Sequence, residues 1–126
     1  MSASPYAIEI SVATRFVQEQ SAPEERRFVF AYTVTLANTG SIGARLLSRH
    51  WIITDDNGKV QEVEGEGVIG EQPHVQPGEG FRYTSGAVLE TSAGVMHGSY
   101  RMLADDGELF DAAIAPFTLA APRTLH

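Results

Sequence analysis

The residues best placed to do chemistry lie in "EGEGVIGEQP", Glu64 to Pro73, where Gly65, Gly67 and Gly70 spell G-x-G-x-x-G. In a dinucleotide-binding loop that spacing lets the backbone close on a pyrophosphate. A helix leaving the loop then aims its N-terminal amides at the charge. Here "EQPHVQPGE" follows the third glycine, and Pro73 and Pro77 leave no room for a helix. Glu90 stands where a ribose-binding acid would by count alone. Glu62, Glu64, Glu66 and Glu71 would repel a phosphate. The alternative is that the glycines supply φ > 0 and close backbone approach in a loop crossing between strands. A smaller anion site stays open, because successive backbone amides can form a nest without a helix.

Other reactive side chains are scattered. Ser85 in "YTSGA" would need a base within hydrogen-bond reach and a group to orient it, and the sequence identifies neither. The histidines His50, His74, His97 and His126 show no metal-ligand spacing. If Trp51 and Tyr100 point inward, His50 and His97 lie on the outer face of one sheet and could approach across strands. Arg49 shares its parity with Leu47, Trp51 and Ile53. Three explanations are open: a bulge turns it outward, a carboxylate pairs with it inside, or it anchors an anionic ligand. No G-x-x-x-x-G-K-[ST], G-x-S-x-G or H-E-x-x-H is present. The reading is therefore not an enzyme, with no catalytic residue, no cofactor and no metal set.

The elements that must carry these residues have a period of two. "RFVFAYTVTLAN" puts Phe28, Phe30, Tyr32, Val34 and Leu36 on one face and Val29, Ala31, Thr33 and Thr35 on the other. "YAIEISVATRFV" does the same with Ile8, Ile10, Val12, Thr14 and Phe16. Such alternation predicts half-buried strands. Asn57-Gly58 in "DDNGK" predicts a two-residue hairpin turn, and "QPGE" and "DDGE" predict further turns. About seven short strands at regular spacing predict an all-β, antiparallel sandwich of immunoglobulin or fibronectin type III kind, as one domain over residues 1–126. Phe28, Phe30, Tyr32, Val34, Leu36, Trp51, Tyr100 and Met102 are its expected core. The glycine loop is expected to join a strand near Val60 to one near Phe81, with Gly65 or Gly67 at φ > 0. Val68 and Ile69 are expected to pack inward, with Glu66 and Glu71 facing outward.

Composition narrows the partners. The 126 residues carry 16 acidic against 9 basic side chains, a net charge of -7, which disfavours nucleic acid. The N-terminus lacks the pattern of a signal peptide, and no stretch approaches the ~20 apolar residues of a membrane span. The absence of cysteine fits a reducing compartment, so a cytoplasmic location is expected.

"SRHWIITD", "VEGEGVIGEQP", "QPGEGFRYTSGAVLET", "GVMHGSYRM" and "APFTLAAP" together resemble the ApaG family of bacterial proteins, from about Tyr6 to Pro122. The resemblance implies a fibronectin type III-like sandwich and a genetic link to cobalt and magnesium tolerance. It also implies relatedness to domains fused into eukaryotic proteins, which points to binding. It supplies no catalytic residues. The expected function is a non-enzymatic module whose partner is another protein, with no nucleic acid and no membrane. The alternative is a binder of phosphate-containing small ligands. Candidate binding residues are Arg49, His50, Gly65, Glu66, Gly67, Gly70, Glu71 and Gln72.

Overall fold

Alternation along the chain becomes alternation between core and solvent. The computed structural model describes residues 4–122. Within them lie eight strands: β1 (Ile8–Phe16), β2 (Phe28–Asn38), β3 (Ala44–Asp55), β4 (Val60–Glu66), β5 (His74–Val75), β6 (Gly80–Leu89), β7 (Ala93–Ala104) and β8 (Leu109–Ala120). One sheet has the order β1-β2-β6. The other runs β4-β3-β7-β8, and β5 pairs with β3. Every pairing is antiparallel. This is the expected sandwich with one more strand than the turn spacing predicts. The addition is β5, a two-residue pairing of the long loop with β3 at Ala44 and Arg45.

The two sheets close on the expected residues. Phe30, Tyr32, Val34, Leu36, Trp51, Tyr100 and Met102 are buried, while Phe28 is half-buried against them. Each such apolar side chain contributes roughly 1.5–3 kcal/mol by leaving water. Trp51 stands edge-on to Tyr32, Phe117 and Tyr100, with ring centroids 5.3, 5.8 and 6.3 Å away. Its indole Nε1 is buried without a hydrogen-bond partner among the described residues.

A β-bulge in β3 lies just before the candidate site residues. The register with β7 slips between Leu46 and Ser48. Before the slip, Ala44 and Leu46 are buried; after it, Trp51, Ile53 and Asp55 are. Leu46 thus fills the core where parity favours Leu47, and Arg49 falls opposite the fully buried Tyr100. The slip lies before Arg49, which keeps the core-facing parity of Trp51 and Ile53, so the bulge does not turn it outward as the first explanation above has it.

Candidate functional site

The β3–β4 hairpin sets the register of the site. Its turn is a three-residue loop, Asp56 to Gly58, not the two-residue turn that Asn57-Gly58 predicts. The amide of Asp55 donates to the Lys59 carbonyl at 3.0 Å, and Gly58 takes φ 81. The cause is Asp55. Its buried carboxylate accepts the amides of Asn57 and Lys59, both at 2.9 Å, so the chain wraps around that side chain. The extra residue shifts the ladder by one position. His50 then opposes Glu64, and Arg49 opposes Gly65.

Arg49 and Gly65 form one unit. The Arg49 Nη1 donates to the carbonyls of Glu66 at 3.0 Å and Gly67 at 2.9 Å. A Cβ built on Gly65 would stand 2.9 Å from both terminal nitrogens of Arg49. The absent side chain is the space in which the guanidinium lies. No carboxylate pairs with Arg49 among the described residues. Backbone carbonyls at the exit of β4 hold it instead, which the carboxylate-pair and ligand-anchor explanations did not include.

The other two glycines do different work. Gly67 has φ 61, and a Cβ there would come within 2.2 Å of the Glu71 carbonyl oxygen. Gly70, at φ 79, lies in open space and completes a tight turn. Val68 and Glu71 exchange backbone hydrogen bonds of 2.8 and 2.9 Å across Ile69 and Gly70. Both central residues have φ > 0, the type I′ pattern. Val68 is fully buried and anchors the loop as expected. Ile69 does not: it is 55% exposed at φ 45. The inward expectation fails because the first central position of a type I′ turn lies at the hairpin tip, beyond reach of the core. A β-branched residue there is a true conformational outlier, because its Cβ crowds the backbone. Glu66 and Glu71 are exposed beside it. The Gln72 amide donates to the Leu47 carbonyl at 2.9 Å and ties the loop back to the β3 bulge.

His50 faces the other side of β3. Its Nε2 lies 2.6 Å from Glu62 Oε1 and 3.5 Å from Glu64 Oε1. These three are the one His/Asp/Glu group among the described residues whose ligand atoms converge within 4.8 Å. His97, on β7, also faces outward but opposes Ile52, one step along the strand, and stands outside the group. A cleft of about 600 Å³ runs over the same face between Ser48, Glu66, Ser99, Arg101 and Asp111. Chemically this surface offers carboxylates to cations. Two guanidiniums also line the cleft: Arg101 is paired with Asp111 at 2.8 Å, and Arg49 is held by the carbonyls of Glu66 and Gly67.

Beneath the site, burial raises the phenol of Tyr83 to about 12, with the Tyr100 hydroxyl and the Arg49 charge pulling the other way. Burial, joined by Tyr83, also raises Tyr100. The two hydroxyls meet at 2.5 Å. Among the described residues no hydrogen bond joins Ser85 to a base, and His50 and His74 bond Glu62 and Asp105 instead. Ser85 sits opposite Tyr32 on the core-facing side of β6; burial raises the Tyr32 phenol, and Ser85 pulls it the other way.

The expected candidates therefore divide in two. Arg49, Gly65, Glu66, Gly67, Gly70, Glu71 and Gln72 gather at the exit of β4. His50 belongs to the outer face with Glu62 and Glu64. Sequence spacing does not reveal that last grouping, because it depends on the hairpin register. The signal for it is the Asp two residues before Asn57, whose carboxylate lengthens the loop.

The architecture and this acidic surface define a class: fibronectin type III-like β-sandwiches with an exposed edge strand and a glycine-shaped loop. The ApaG domain model matches residues 18–104. Protein ApaG of Azoarcus sp. (strain BH72) is 60% identical over 121 residues, covering 96% of this chain and 95% of that one. Protein ApaG of Pseudomonas putida (strain F1) is 56% identical over the whole of both chains. A crystal structure of a Bordetella pertussis protein superposes with a TM-score of 0.93 at 51% identity, covering 98% of this chain and 100% of that one. The chain belongs to the ApaG family.

Proposed function

We propose that this protein is a non-catalytic binding module whose partner is another protein, engaged through the β4 side and its glycine loop. One observation carries the reading. Ile69 is exposed and held at φ 45, a conformation costing a β-branched residue about 1–2 kcal/mol. Asn or Gly would relieve that strain and solubilise the tip. Their absence is explained if the apolar side chain is used for contact. Glu66 and Glu71 beside it favour a basic rim on the partner. Replacing Ile69 by Asn tests this. Thermal stability should hold or rise, while capture of the partner from an extract of an ApaG-carrying bacterium should fall. Undiminished capture would sink the reading.

A second reading has its own observation, the convergence of His50, Glu62 and Glu64. Two carboxylates and one imidazole at these separations suit a divalent cation with further positions open to water. This would give the family's cobalt and magnesium link a physical basis. Cobalt(II) added to the protein should develop a ligand-field absorption band that His50→Gln removes. A spectrum identical to free cobalt would end this reading.

The phosphate-ligand alternative draws less support. Arg49 Nη1 is engaged by two carbonyls, and four glutamates surround the loop. Titration with pyrophosphate, followed at the amides of Gly65, Gly67 and Gly70, should give no saturable shift. A cytoplasmic location remains the placement that the cysteine-free composition favours. No helix among the described residues is long and apolar enough to cross a membrane.

A further inference from the structure

We infer that the outer edge of β4 takes a short, extended, basic segment of a partner protein as an added strand. This rests on the protein-binding reading above and names the form and chemistry of the partner.

Among the described residues β4 ends its sheet and is hydrogen-bonded only to β3. The direction of each of its amides follows from the ladder. Asp55 donates to the Lys59 carbonyl, and Gly67 donates to the Leu47 carbonyl. Alternate residues of an antiparallel strand face the partner strand, so Gln61, Val63 and Gly65 bond toward β3. The N–H and C=O groups of Val60, Glu62 and Glu64 consequently point away from the sheet. At the far end Arg49 occupies the carbonyl of Glu66. The open edge is therefore Val60 to Glu64, enough for a segment of about five residues.

Both faces beside that edge are prepared for side chains. Val63 has core-facing parity, opposite Trp51, yet is 38% exposed. The facing sheet has only three strands, so β4 overhangs it and leaves an apolar ledge. On the outer face Glu62, Glu64 and Glu66 stand in line. The described part of β4 has no Pro and no bulge to block pairing. Its one protection is this acidic row. The row repels a second copy of the same strand, which would set Glu against Glu. It attracts a segment alternating basic with apolar residues, the basic ones over the glutamates and the apolar ones over Val63.

The probe is a synthetic peptide of roughly seven residues alternating Lys and Val. Controls are the same peptide with Glu for Lys, and one N-methylated on alternate amides. With the Lys peptide, hydrogen exchange at Val60, Glu62 and Glu64 should slow by about tenfold or more, and added salt should weaken binding. The Glu peptide should not bind, and the N-methylated one should lose the protection. Glu62→Pro removes one outward N–H and leaves the β3 ladder intact, as edge strands tolerate. It should weaken the Lys peptide more than Glu62→Gln does. Equal binding of the N-methylated and parent peptides, or shifts confined to the Arg101–Asp111 side, would overturn strand addition in favour of a diffuse charge effect. Ile69→Asn separates the two proposals. If the peptide still protects the edge while capture of the native partner is unchanged by Ile69→Asn, the tip reading fails and the strand reading stands. If capture falls and the peptide never protects the edge, the reverse holds.

Discussion

Arg49 and Gly65 are the clearest case of two residues acting as one. The guanidinium bonds the carbonyls of Glu66 and Gly67 only because Gly65 leaves it room. Gly65→Ala and Arg49→Lys should each destabilise the fold, and the double variant should cost less than their sum. A double-mutant cycle in urea should give a coupling of about 0.5–3 kcal/mol; additive effects would show that the two are independent. The loop glycines should also rank. Gly70→Ala carries only the cost of a Cβ at φ > 0, about 1 kcal/mol. Gly67→Ala carries that cost together with a collision against the Glu71 carbonyl, so it should be clearly worse. Equal costs would show that the loop simply moves aside. The sequence foretold that these glycines serve geometry. It could not foretell three separate duties, because each depends on what lies across the loop.

At the scale of elements, strands were legible and registers were not. Period-two runs located β1, β2 and the core face of β2, since burial of one face leaves its trace in every second residue. β5 left no such trace, being two residues of loop that borrow β3 for pairing. The β3 bulge was hidden as well. It exchanges Leu46 for Leu47 in the core and leaves Arg49 on the inward side with Trp51, while local sequence reads the same with or without it. The hairpin length was misjudged for a definable reason: Asn57-Gly58 favours a two-residue turn, but the Asp55 carboxylate captures two amides and adds a residue. Asp55→Ala should therefore cost about 1–3 kcal/mol. It should also loosen the pairing of His50 with Glu62 and Glu64, seen as a displaced His50 ring resonance. An unchanged ring signal would mean that the ladder holds its own register.

At the scale of the whole molecule, the sandwich closes over three tyrosine hydroxyls. Burial raises Tyr83 to about 12, and raises Tyr32 and Tyr100 as well. Tyr6, near the surface, is also raised to about 12, by its hydrogen bond to Asp106. A phenol whose folded pKa lies above its unfolded value of ~10 holds its proton longer in the folded state. The stability it contributes is complete below pH ~10 and is lost as pH climbs toward the folded value. The fold should thus resist mild alkali and unfold between about pH 10 and 12, with phenolate absorbance rising together with loss of β-sheet signal. Tyrosines that ionise at ordinary pH before any unfolding would contradict the buried cluster.

Trp51 is the only tryptophan of the chain, and it sits at the centre of that core against Tyr32, Tyr100 and Phe117. The molecule therefore carries one tryptophan fluorophore, shielded from solvent and placed to collect excitation energy from neighbouring tyrosines. Its emission is a gauge of the core alone. A partner settling on the outer edge of β4 would meet Trp51 only through Val63, its cross-strand neighbour, and would not wet it, whereas any shift of the spectrum to the red would report the two sheets coming apart.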